Sequence, residues 1–219
     1  TRDGERVASA TTASRALGSL HWHLNRRIVT TSRQPVLVHA GTVEVAGRAV
    51  LVVGASGAGK TTAATSLAMA GFGYLTDDIT AVQPDGGVTG APKPIGLRAP
   101  SIDVLGLSRD QLQSPPTEFL PGEGAQHFVA ASSLGAPVAS SAVPSMIVFL
   151  SRDLSPSSAE GLRRSRSLAR LTEFAFDIKG ARADGFEALA ALVQRSTCWE
   201  WGRSIPADFV DFVTKNIHT

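Results

Sequence analysis

The sequence predicts an α/β fold with a mixed β-sheet, a phosphate loop and flanking helices, and three observations lead there. Two apolar runs, Val36–Val45 and Arg48–Val53, are separated only by Ala46-Gly47, which is the pattern of a strand hairpin. The second run enters a glycine-rich stretch at 54–61, which leads into an Ala-, Leu- and Met-rich segment at 60–70 that stops at Gly71 as a capped helix does. Beyond it, short apolar runs alternate with helical patterns.

Element by element, residues 10–27 read as a helix with Leu17, Leu20, Leu24 and Ile28 near one face. After the hairpin, loop and helix, residues 74–82 read as a strand and 84–87 (Pro-Asp-Gly-Gly) as a turn. The stretch 92–144 is rich in Gly, Pro and Ser and predicts short strands and loops, some of them mobile. A buried strand follows at 145–150, then helices at 168–176, 186–194 and 207–217, with a short strand at 197–201. No repeat and no domain boundary stands out. The expectation is one domain over 1–219, with a core at 36–98 and a C-terminal strand and helices at 144–219.

Composition narrows the function. The chain has 219 residues, 43% of them hydrophobic, as a globular domain requires. A net charge of +2, from 21 basic and 19 acidic residues, is too small to point to nucleic acid. Cys198 is the single cysteine, which excludes an internal disulfide and a cysteine-based metal cage. No apolar run approaches the roughly 20 residues needed to span a bilayer. The first residues show no signal-peptide pattern, so no membrane association and a cytoplasmic location are expected.

Gly54-Ala55-Ser56-Gly57-Ala58-Gly59-Lys60-Thr61 fits G-x-x-x-x-G-K-[ST] in the strand-to-helix setting that motif requires. Glycines let successive backbone N–H groups turn toward phosphate oxygens, and the following helix adds its positive end. Lys60 is placed to meet the β- and γ-phosphates of a nucleoside triphosphate, and the Thr61 hydroxyl to bind Mg²⁺. Thr62 completes the expected nucleotide-binding set.

Asp77 and Asp78 follow the run Gly73-Tyr74-Leu75-Thr76. Adjacent carboxylates repel unless a cation lies beside them, and Mg²⁺ carried by the nucleotide would supply it. One can then hold metal while the other accepts the proton of an attacking hydroxyl. Asp77 lies 17 positions after Lys60, room for one helix and one strand, so the acidic strand follows the loop helix directly. No N-K-x-D stretch for reading guanine is present. His39 lies 15 residues before Gly54, on the strand expected to pair with the loop-bearing one.

His39-Ala40-Gly41, the loop in the form G-x-S-G-x-G-K-T, and Leu75-Thr76-Asp77-Asp78 together resemble the catalytic core of HPr kinase/phosphorylase. They are still more similar to the HPr-kinase-related proteins that share its phosphoenolpyruvate-carboxykinase-like nucleotide core. The similarity is clear over 36–98 and weaker over 144–202. It implies an ATP- and Mg²⁺-dependent kinase with Asp77 as the base, His39 beside that base, and Thr61 and Asp78 at the metal. It also implies an acceptor hydroxyl of the serine or threonine type, on a peptide, a protein or a small molecule. Because the parent family forms hexamers, a homo-oligomer is a further implication.

Thr62 stands where the family has an acidic residue, and Pro92-Lys93-Pro94-Ile95-Gly96-Leu97-Arg98 replaces its glutamate–arginine signature. These departures point away from HPr itself as acceptor. Lys93 and Arg98 are candidates to stabilise charge on a transferring phosphoryl group. Lys179 and Arg182 have a faint counterpart in the family's C-terminal Lys/Arg segment. Arg163, Arg164, Arg166 and Arg170 read first as a solvated helix face, and Trp199 and Trp201 as packing residues. Two other readings share the loop: a nucleotide-binding regulatory protein without transfer, and an ATPase driving a conformational change. Asp77 together with His39 favours transfer over both.

Overall fold

In a computed structural model of the chain, the described residues are 12–112, 116–118, 125–176 and 183–217. Their elements, in chain order, are α1 (Ala13–Thr31), β1 (Val36–Val45), β2 (Arg48–Val53), α2 (Lys60–Met69), β3 (Gly73–Thr76), β4 (Ile79–Val82), β5 (Val88–Gly90) and β6 (Ile95–Arg98). They continue with α3 (Ala99–Leu105), β7 (Thr117–Glu118), β8 (Ala125–Val129), β9 (Ser141–Ser151), β10 (Ala159–Gly161), α4 (Arg164–Glu173), β11 (Ala175–Phe176), α5 (Ala183–Gln194), β12 (Thr197–Gly202) and α6 (Pro206–Asn216). The chain divides into two compact units. One comprises Gln34–Ile95 and Ala130–Thr219, the other Thr1–Arg33 and Gly96–Val129.

The larger unit holds a mixed sheet of nine described strands, with the path β10-β12-β9-β2-β1-β4-β5 and with β3 and β11 also paired to β1. β2, β9 and β12 run parallel, while β1 lies antiparallel to β2, β3 and β4. The α/β class expected from the sequence is therefore the architecture found. Strand alternation explains why the central strands read as unbroken apolar runs. On β2, Ala49, Leu51 and Val53 enter one core with Leu171, Leu189 and Leu192, from α4 and α5. The intervening Val50 and Val52 enter the opposite core with Leu67, Phe209 and Val213, from α2 and α6. Helices cover both faces, so both sets of side chains had to be apolar.

The predicted hairpin matches β1 and β2 at both boundaries, with Ala46 and Gly47 both in positive-φ turn conformation. The strand expected at 74–82 is instead two. β3 and β4 both pair with β1, and Asp77-Asp78 interrupts them. The Thr76 hydroxyl oxygen accepts from the Asp78 and Ile79 amides at 3.3 and 3.4 Å, a local turn that competes with the ladder. The helix expected at 168–176 starts earlier, at Arg164, and ends at Glu173, because Ala175 and Phe176 pair with Val38 and Leu37 of β1. Trp199 and Trp201 pack edge-on and stacked against Phe212, as expected of packing residues.

In the smaller unit β6, β8 and β7 form a three-stranded sheet. α1 begins at Thr12, whose hydroxyl oxygen accepts from the Arg15 amide. It extends to Thr31, and Leu20 and Leu24, expected near one face, are about half exposed. No described helix is long and apolar enough to cross a membrane.

Candidate functional site: a phosphate loop beside an acidic turn

The loop 54–61 links β2 to α2 at the C-terminal end of the parallel strands, where open α/β sheets bind ligands. Gly57 and Gly59 have φ of 72° and 105°, and Gly59 is the N-cap of α2. A side chain at either would be strained in that left-handed region. Ala55, Ser56 and Gly57 are exposed, Ala58, Gly59, Thr61 and Thr62 half-buried, and Gly54 and Lys60 buried. Lys60 is satisfied by the loop itself, its Nζ donating to the carbonyls of Gly54 at 2.8 Å and Ala55 at 3.2 Å. Burial lowers the Lys60 pKa, and the charges of Asp78 and Asp77 oppose that shift.

The acidic turn reaches the loop through Gly41. A Cβ there would stand 3.0 Å from the Ala64 Cβ, 3.4 Å from the Lys60 carbonyl oxygen and 3.8 Å from the Asp77 Cα. Its absence lets the first turn of α2 settle on β1 opposite the break between β3 and β4. The same strand carries His39, and the Ala40 amide donates to the Asp78 carbonyl at 3.1 Å.

The two carboxylates have different surroundings. Asp77 is 7% exposed and accepts a 2.9 Å hydrogen bond from the hydroxyl of Tyr74, itself wholly buried. Burial and the Asp77 charge push the Tyr74 pKa far above its ordinary value, so Tyr74 stays a donor. Asp78 is more open and faces the Nδ1 of His39 at 3.3 Å. The imidazole is held neutral: burial and the Lys60 charge lower its pKa, outweighing the attraction of Asp78 and Asp77. The contact is thus a close approach of a neutral ring to a carboxylate rather than an ion pair. Lys93 lies against both acids, its Nζ 3.2 Å from Asp78 Oδ2 and 3.7 Å from Asp77 Oδ1.

Lys60, Asp77, Asp78 and His39 therefore meet at one end of one sheet. One detail is added to the sequence expectation: the carboxylate 3.3 Å from the His39 ring is that of Asp78, neighbour of the expected base Asp77, because β1 pairs His39 with Ile79, next to Asp78. Tyr74 was missed, and its only sequence signal is that a buried tyrosine hydroxyl needs a partner. Arg152 was missed too. It follows β9 and donates to the Gly57 carbonyl at 3.1 Å, a pairing across 95 residues that no local pattern announces.

Arg98 is the exposed N-cap of α3, in the smaller unit. Arg163 is the N-cap of α4 and Arg164, Arg166 and Arg170 lie along it. Arg170 binds Glu200 at 2.8 Å and covers the Phe149 ring, a packing role, while Arg166 is largely exposed. Lys179 and Arg182 lie outside the described residues.

Hard oxygen donors from Asp78 and the Thr61 hydroxyl suit Mg²⁺. Among the described residues no group of three His, Cys, Asp or Glu side chains is arranged to hold a metal.

No protein-family model matches the chain. No curated protein matches it either. Among solved structures, the chain is similar to the HPr(Ser) kinase/phosphatase from Coxiella burnetii, at 14% identity, over 82% of this chain and 94% of that one, with a TM-score of 0.40.

Proposed function

We propose that this protein transfers the γ-phosphoryl group of ATP to a serine- or threonine-type hydroxyl, on a peptide or protein. The observation that carries the reading is the approach of the acidic turn to the phosphate loop across Gly41. In it, Lys60 leaves the Gly54 and Ala55 carbonyls for the β- and γ-phosphates, which the loop amides also hold. Asp77, oriented by Tyr74, accepts the acceptor's hydroxyl proton. The acceptor oxygen forms its bond to the γ-phosphorus as the bond to the β–γ bridging oxygen breaks, and ADP leaves. Thr61 and Asp78 would hold Mg²⁺, which neutralises charge on the phosphates. His39 orients Asp78 and is thus a positioning residue. Phosphoryl transfer asks a protein mainly for such placement and charge stabilisation.

A small-molecule hydroxyl is the second acceptor class. The preference for a peptide or protein rests on the sequence resemblance to HPr-kinase-related proteins. Labelled ATP, Mg²⁺ and a panel of serine-containing peptides and small alcohols test the proposal. Label should appear on an acceptor. Hydrolysis to phosphate with no labelled acceptor across the panel would count against transfer and favour an ATPase.

A further inference from the structure

Lys93 sits where its charge compensates both acids at once, and its backbone is built to keep it there. Pro92 and Pro94 flank it and restrict the chain on both sides. Two residues before Pro92, Gly90 ends β5 against the neighbouring strand, where a Cβ would lie 2.7 Å from the Leu75 carbonyl oxygen. That close approach delivers the following segment to the end of β3, beside the acids. The Lys93 side chain is 13% exposed, so its attraction to the carboxylates is screened less than at a surface.

We infer that Lys93 is a resident counter-cation for the Asp77–Asp78 pair: it occupies the place of charge that a divalent ion needs, and is displaced when that ion arrives with the nucleotide. An ion held by Asp78 would compete for that carboxylate with the Lys93 ammonium, which lies 3.2 Å from Oδ2. The two cations would also repel each other, so metal is held more weakly while Lys93 stays against the pair. Two consequences follow. The nucleotide-free protein holds divalent metal weakly, and nucleotide phosphates supply the extra ligands and charge that tip the exchange. Once released, Lys93 is a cation no longer held by the acids, so metal loading and its availability to other anions are coupled.

This rests on the phosphoryl-transfer reading for the location of the metal, but its test needs no turnover. Free Mn²⁺ is followed by electron paramagnetic resonance during titration of nucleotide-free protein. Lys93→Met and Lys93→Gln, two neutral replacements in case one misfolds, should each bind Mn²⁺ at least about tenfold more tightly than wild type, a difference of about 1.4 kcal/mol. Lys93→Arg should stay near wild type. Adding Asp78→Asn to either neutral variant should remove the gain. Equal Mn²⁺ affinity in wild type and the folded neutral variants overturns the inference, and so does a gain that survives Asp78→Asn. The transfer reading fails separately, if wild type with ADP and Mn²⁺ shows no nucleotide binding that depends on Lys60.

Discussion

The phosphate loop and the acidic turn lie at the same end of one sheet but are built from different materials. The loop is mostly backbone: left-handed glycines, amides at the start of α2, and a lysine parked on two carbonyls of its own loop. The acidic turn is mostly side chains from separate segments: Tyr74 from β3, His39 from β1 and Lys93 from the connection after β5, all converging on two aspartates. A backbone site tolerates variation at Ala55, Ser56 and Ala58, whose side chains make no necessary contact in this scheme. A side-chain site distributes its function over residues far apart in sequence, each replaceable with its own measurable consequence.

Substitutions should separate the two halves. The largest effect is expected at Asp77→Asn, which removes the proton acceptor and should slow transfer by about 10²- to 10⁴-fold. ADP affinity, measured by calorimetry, should stay within about threefold of wild type, since the loop is untouched. A variant with near-full turnover would remove Asp77 from the role of base. Next, Lys60→Met should weaken nucleotide binding by about 30- to 1000-fold, as expected for losing one partner of a buried charged contact worth about 2–4 kcal/mol. Its melting temperature should fall as well, because the buried Lys60 ammonium donates to two loop carbonyls that methionine leaves unpaired.

Tyr74→Phe tests the link between the core and the acidic turn. It removes a buried hydrogen bond to a charged group and should cost about 1.5–3 kcal/mol in urea unfolding. Transfer should slow while ADP affinity holds, which would mark Tyr74 as positioning the acidic side alone. If nucleotide affinity fell in parallel with turnover, the two halves would not be separable.

The smallest effect concerns His39. Its folded pKa lies below the ordinary 6.5, so the unfolded chain takes up a proton first as pH falls. Stability therefore decreases as pH drops through about 6.5 and levels off once the folded imidazole also titrates. His39→Gln lacks this dependence. The melting-temperature difference between the two proteins should be constant above about pH 7 and shift in favour of the glutamine variant toward about pH 5. A constant difference across that range would mean that His39 is not held neutral by the fold.

Legibility in the sequence followed the same division. The loop was readable because its function is local. The glycine positions, the lysine and the entering strand and leaving helix all fall between residues 48 and 69. The aspartate pair was readable as unusual chemistry, and the spacing from Lys60 placed it one helix and one strand away. Its partners were not fully readable. Whether His39 meets Asp77 or Asp78 depends on the register of β1 with β4, and a slip of one residue turns every side chain to the other face. The break inside the expected strand 74–82 was hidden by apolar residues on both sides of the acids. β11 was missed because two residues carry too little periodicity to be recognised, although they pair with β1.

By itself, then, the sequence determined a mixed α/β architecture and a glycine-rich loop between strand and helix, because both depend on short-range patterns of apolar alternation, glycine and turn chemistry. The tertiary structure alone decided which aspartate is bonded to Tyr74, which lies against His39, and that Lys93 lies against both. Those contacts join residues from 3 to 39 positions apart and are set by strand register and by the missing side chains at Gly41 and Gly90, which no local pattern encodes.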